Sequence, residues 1–217
     1  MKLSINIFIF IQIYFLSACS SSLGVISKLP EKVSESGKYI FLLHGVNEEK
    51  NAETEQYRML INELSRTSAT IITERRGNTE PNLYAQKIKA EIQLLFKNGV
   101  RAEDITVVGY AKGAIIALST SALIKHPKIN YILLAGCSDQ QIDRYGIPVT
   151  RAQGRILSII EVSASEFGTC AAMLSNNGYV EFKELKLDTG YGDRLFHTDR
   201  EKLIKLWRNP IVEWSNN

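Results

Sequence analysis

Histidine and cysteine are scarce, three of each in 217 residues, and neither is arranged to hold a metal. His44, His126 and His197 lie far apart, and no H-x-x-x-H or C-x-x-C spacing occurs, which argues against a zinc or redox centre. No G-x-x-x-x-G-K-[ST] loop and no G-x-G-x-x-G follows a strand-like run, so nucleotide binding has no motif to stand on. Dense Lys/Arg runs are missing as well. The formal net charge of +3 is too small to point to nucleic acid. No cofactor is expected. What remains is an ordinary globular composition, 45% hydrophobic and 23% charged, in a chain long enough for one domain with a proper core.

The hydrophobic pattern is orderly. Unbroken apolar runs at Tyr39–Leu43, Ile105–Val108, Tyr131–Ala135 and 155–162 read as strands covered on both faces. Thr70–Glu74 adds a shorter strand, and Tyr179–Leu187 alternates apolar with charged residues, as a half-exposed edge strand does. Between them, 52–66 and 83–97 carry apolar residues at helical spacing, 114–125 reads as an apolar helix, and a last helix after Thr198 has Leu203, Ile204 and Trp207 as its stripe. Strand–helix alternation of this kind predicts an α/β fold: three layers, α/β/α, around a mostly parallel sheet of about six strands. Functional groups are then expected at the carboxyl ends of the strands. Those ends carry His44, Arg75-Arg76, Ala111, Cys137 to Asp139, Ser163 to Cys170, and the loop 188–198.

The stretch Ile105 to Leu118 passes from strand through Gly109-Tyr110-Ala111-Lys112-Gly113 straight into an apolar helix. Strand, G-x-x-x-G turn and helix in succession resemble the nucleophile elbow of the α/β-hydrolases. The His44-Gly45 pair after the first buried strand resembles that family's oxyanion-side loop. From about Tyr39 to Trp214 the chain is similar to small, cap-less bacterial members, in which the elbow reads G-A-S-K-G. The resemblance implies a serine at 111, an aspartate in an E-x-S-D run and a histidine in T-G-x-G-H. This chain has Ala111, then Glu161-Val162-Ser163-Ala164, then Thr189-Gly190-Tyr191-Gly192-Asp193. All three triad positions, Ala111, Ala164 and Asp193, have departed from the pattern. Acyl transfer needs a nucleophile, a base and an orienting acid, and a methyl group cannot attack.

The surviving polar groups each admit two readings. His197 is a displaced base or a helix-start histidine. Glu161 and Glu166 are stand-in acids or hydrogen-bonded carboxylates. Ser138 and Ser163 are substitute nucleophiles or loop serines. His44 orients the loop or is a satisfied structural histidine. A ligand-binding corner is expected at His44, Gly45, Val46 and Lys112, where the backbone N–H groups of Val46 and Lys112 would face an acyl or anionic group near a helix N-terminus. Cys137 and Cys170 follow neighbouring strands at one end of the sheet; they pair as a disulfide, or stand as buried thiols, or one is a reactive nucleophile.

The N-terminus has its own pattern: Lys2, an apolar run from Ile5 to Leu16, then Leu16-Ser17-Ala18-Cys19. It looks like a bacterial lipoprotein signal, with a plain signal peptide or a signal anchor as alternatives. The resemblance implies cleavage before Cys19, lipid on its thiol, and an outer-membrane anchor facing the periplasm, given Ser20. The expected organisation is signal peptide 1–18, lipidated Cys19 and flexible tether 19–38, and domain 39–217. Expected partners are membrane lipid through Cys19 and a small acyl or anionic ligand or a partner protein. The whole reads as a hydrolase fold without its triad, with an esterase using a relocated nucleophile and His197 as the alternative.

Overall fold

A computed structural model describes residues 25–50, 55–164 and 168–216. Seven strands form one sheet, every adjacent pair parallel. In chain order they are β1 (Val25–Ile26), β2 (Tyr39–Leu43), β3 (Thr70–Ile72), β4 (Ile105–Tyr110), β5 (Asn130–Leu134), β6 (Gly154–Glu161) and β7 (Val180–Leu187). In space they run β1-β3-β2-β4-β5-β6-β7. β2 and β5 are buried at every position, which their unbroken apolar runs require. β7 lies at one edge and alternates in exposure along its length.

Strand side chains alternate between two faces, and each face meets its own pair of helices. Tyr39, Phe41, Leu43, Val107, Tyr131 and Leu133 pack against α3 (Pro81–Lys97) and α4 (Lys112–Ile124). Ile40, Leu42, Ile71, Val108, Ile132 and Leu134 pack against α2 (Glu55–Ser65) and α7 (Glu201–Asn216). α7 contributes Ile204, Trp207, Ile211 and Trp214 as its buried stripe. α4 is buried nearly all round, as a helix without an amphipathic pattern must be. Its end is set by Lys125, which turns left-handed at φ 56°.

The seventh strand comes from the segment expected as a tether. Val25 and Ile26 pair with Ile71 and Ile72. Ile26, Leu29 and Val33 pack against the core, and the Ser34 N–H donates to the Tyr39 hydroxyl at 2.8 Å. Residues within 25–38 are therefore tied to the sheet and the core. Apolar residues scattered in a Ser-rich stretch have no period for the eye to catch; an open sheet edge supplied their partner. Cys19 and the segment 1–18 lie outside the described residues. Among the described residues no helix is long and apolar enough to cross a membrane.

Candidate functional site

The elbow is present in its backbone. β4 ends at Tyr110 and α4 begins at Lys112, so the whole reversal falls on Ala111, at φ 49° and ψ −114°. A non-glycine residue held there costs about 1–3 kcal/mol. The Ala111 N–H donates to the Leu134 carbonyl at 2.9 Å, and its own carbonyl accepts from Ala114 N–H at 3.0 Å, so both ends of the turn are tied down. The flanking glycines answer to close packing. A Cβ at Gly109 would collide with the Gly113 carbonyl, and one at Gly113 with the carbonyl of Leu43. Helix, elbow strand and β2 thus touch backbone to backbone at this corner. At the apex stands a methyl group.

The loop after β2 leads into a short helix, α1 (Asn47–Lys50). His44 is buried, with Nδ1–H donating to the Gly45 carbonyl at 2.8 Å and Nε2 accepting from the Arg76 N–H at 2.9 Å. These partners assign the neutral Nδ1–H tautomer. Burial, reinforced by the Arg76 charge, lowers the His44 pKa to about 4. His44 is thus fully committed to the loop. Beneath it, Glu49 binds two cations: Arg76 Nε at 3.1 Å and Lys112 Nζ at 3.0 Å. All three side chains are at most 4% exposed. The Arg76 guanidinium also donates to the His44 carbonyl. A buried charge without a partner costs several kcal/mol, and here each of the three has one. Lys112 therefore ties the elbow helix to the β2 loop with its side chain, while Val46 stands 40% exposed at the rim.

Glu161, at the end of β6, holds two loops together. Its carboxylate accepts from the N–H (2.8 Å) and hydroxyl (2.6 Å) of Ser163, from the N–H (2.8 Å) and hydroxyl (3.1 Å) of Thr189, and from the Gly190 N–H (3.0 Å). Burial would raise its pKa, but the donors from Ser163 and Thr189 prevail and bring it down to about 2. The Ser163 hydroxyl also accepts from Gly192 N–H at 3.1 Å. Glu161 and Ser163 are thus occupied as loop clamps. Ala164 is buried one turn further on, its N–H bonded to the Glu161 carbonyl. Asp193 lies in the 3-10 turn Gly192–His197. Ser138 precedes α5 (Asp139–Tyr145), and Glu166 is outside the described residues.

His197 does come to the elbow, through a residue that the sequence pattern did not single out. Its Nε2 is 2.7 Å from the Tyr110 hydroxyl, and the two rings meet edge to face. Burial holds the imidazole below its usual pKa, partly offset by the Glu48 carboxylate; in the neutral Nδ1–H tautomer Nε2 accepts the phenol proton, and in the Nε2–H tautomer it donates to the phenol oxygen. The pair lines a small pocket with His44, Gly45, Glu48, Tyr57 and others, a set that includes neither Ser138 nor Ser163. Tyr110, Glu48 and Glu49 were not singled out as site residues in sequence, and Arg76 only as one of the strand-end residues, because no spacing links a strand end, a short helix and a loop. The one available signal was size: tyrosine where the elbow pattern has alanine.

Cys137 and Cys170 form a disulfide at the same end of the sheet, with Cα atoms 5.2 Å apart. Cys137 also makes an isolated antiparallel bridge to Gly168.

No protein-family model and no curated protein sequence matches the chain. Solved structures do. Esterase B of Lactobacillus rhamnosis, inhibited by a tributyrin phosphonate, superposes with a TM-score of 0.61 at 11% identity, over 86% of this chain and 78% of that one. Carboxyl esterase 2 of the fungus Tuber melanosporum gives 0.63 at 15%, over 85% and 78%. A phospholipase/carboxylesterase of Dyadobacter fermentans gives 0.55 at 12%, over 86% and 94%. The chain has the α/β-hydrolase fold. At these identities the likeness speaks for the fold alone.

Proposed function

We propose that this α/β-hydrolase-fold protein is a lipid-anchored protein of the cell envelope that has given up serine-based catalysis. It binds a small acyl or anionic ligand at the elbow cleft. The reading rests on one observation: Ala111 occupies the elbow apex in the strained conformation that presents a nucleophile, and carries no oxygen. Glu161 and Ser163, the nearest candidates for a replacement acid and nucleophile, spend their hydrogen bonds on loop 188–192. The Lys112 amide opens α4 ahead of its first hydrogen bond, which Ala114 N–H makes to the Ala111 carbonyl, and with Val46 it offers donors to a carbonyl or carboxylate.

The test is incubation with p-nitrophenyl esters and a fluorophosphonate probe. Turnover and covalent labelling are expected to equal those of a heat-killed control; an acyl or phosphonyl adduct on the native protein overturns the reading. Anchoring has a separate test. Cys19→Ser is expected to leave an unprocessed precursor, and normal maturation of that variant would remove the lipid from the account. The anchor is placed at the outer membrane, facing the periplasm.

The second reading is an esterase that uses His197 with a relocated nucleophile. In its favour, His197 lines the pocket beside the elbow. Against it, the hydroxyl within hydrogen-bond range of His197 Nε2 is the Tyr110 phenol, and neither Ser138 nor Ser163 lines that pocket.

A further inference from the structure

The Tyr110 side chain spans the cleft. One edge of its ring lies over the β2 loop: a Cβ added at Gly45 would stand 3.2 Å from Tyr110 Cδ1 and 3.3 Å from Cε1. Its hydroxyl reaches the opposite wall, 2.7 Å from His197 Nε2. Phe196, one residue before that histidine, stands beside the ring at 5.9 Å between centroids.

We propose that Tyr110 is the gate of the elbow cleft: its ring covers the β2 loop at Gly45, and its hydroxyl takes the nitrogen of His197 that an apex hydroxyl would need. This deepens the proposed function, on which it rests, by naming what a ligand must displace. A neutral imidazole has a single lone pair on its unprotonated nitrogen. Once the phenol donates to it, no second hydroxyl can. A hydroxyl placed at position 111 that used His197 as its base would compete with Tyr110 for that one acceptor. The site is therefore shut twice, by a methyl at the apex and by a phenol on the base. The ligand that fits is a small acyl compound whose carbonyl meets the β2 loop after the tyrosine ring swings away.

The gate predicts non-additivity between neighbouring positions. Ala111→Ser, Tyr110→Ala, the Ala111→Ser/Tyr110→Ala double variant and that double with His197→Ala are compared for their rates of fluorophosphonate labelling. In a productive encounter the introduced hydroxyl gives its proton to His197 and forms an oxygen–phosphorus bond. The phosphorus–fluorine bond breaks, and fluoride leaves. Ala111→Ser alone is expected to stay at background, because Tyr110 holds the base. The double variant is expected to label at least about 10-fold faster than either single variant, within the range general-base assistance supplies. Adding His197→Ala is expected to return the rate to background.

Circular dichroism and Tm establish that each variant is folded. Tyr110→Phe with Ala111→Ser keeps the ring and frees the imidazole, and is expected to fall between the single and double variants. This variant keeps the test decisive should Tyr110→Ala unfold. Labelling by Ala111→Ser alone at the double variant's rate overturns the gate. So does a folded double variant that stays at background, or one whose labelling survives His197→Ala. Labelling of the native protein would sink the proposed loss of catalysis, and it is read independently of these ratios.

Discussion

Ala111 takes a strained turn conformation between β4 and α4, and its side chain there is a methyl group. Its φ of 49° is a conformation that glycine takes more cheaply, so the turn is imposed by the packing of Gly109 and Gly113 around it. That methyl was plain in the sequence, because an elbow is a local object, five residues long. The fate of His197 was not, because its partner lies 87 residues away along the chain. His44 shows the same division. Its place after β2 was legible, but its role as a buried neutral hub came from Arg76 in a different loop. That burial has a measurable consequence. An unfolded histidine titrates near 6.5 and His44 in the fold near 4, so the unfolded chain binds the extra proton between those values. The His44 contribution is complete above about pH 6.5 and is lost progressively as pH falls toward 4, at most about 3 kcal/mol. Thermal unfolding is expected to show a Tm that declines between pH 7 and pH 5. In His44→Asn that slope is expected to be shallower; an unchanged slope would show that His44 does not carry it.

Elements meet at the site through loops that charged groups hold in place. The Glu49–Arg76–Lys112 cluster ties α1, the loop after β3 and the start of α4 into one corner. Glu161 does the same for the loops after β6 and β7. Of the two readings left open for Glu161, the structure realises the hydrogen-bonded carboxylate. Glu161→Gln keeps the shape but replaces one accepting oxygen by a donor, which would face the N–H groups of Thr189 and Gly190 or those of Ser163. The expected loss is about 2–4 kcal/mol, as for a broken charge-assisted network. Hydrogen exchange should speed up at Thr189 and Gly190 while β5 keeps its protection. Uniform protection across loop 188–192 in the variant would contradict the clamp. The strands and helices themselves were readable, since burial on both faces writes an unbroken apolar run and burial on one face writes a stripe. β1 was not, because two residues carry no period.

For the whole molecule, the disulfide joins Cys137 and Cys170 across 33 residues of chain. It fastens the loop after β5 to the segment after β6 beside the carboxyl edge of the sheet. A loop of that length stabilises the fold by about 3–4 kcal/mol through the entropy of the unfolded chain. Reduction with dithiothreitol is expected to lower Tm by roughly 10 °C for a domain of this size. A Tm indifferent to reductant would place the bond outside the cooperative unit. Fold class, the succession of strands and helices from β2 onward, and the absence of a hydroxyl at position 111 all follow from residue order alone, because each is written in local periodicity or in a run of adjacent residues. The Cys137–Cys170 pair was already among the sequence readings, from its place after neighbouring strands; which carboxylate clamps which loop and which hydroxyl meets His197 were decided only when the parallel sheet brought the ends of its strands together. Contacts between distant loops leave no periodic trace in a sequence; they exist once the sheet sets the distances between them.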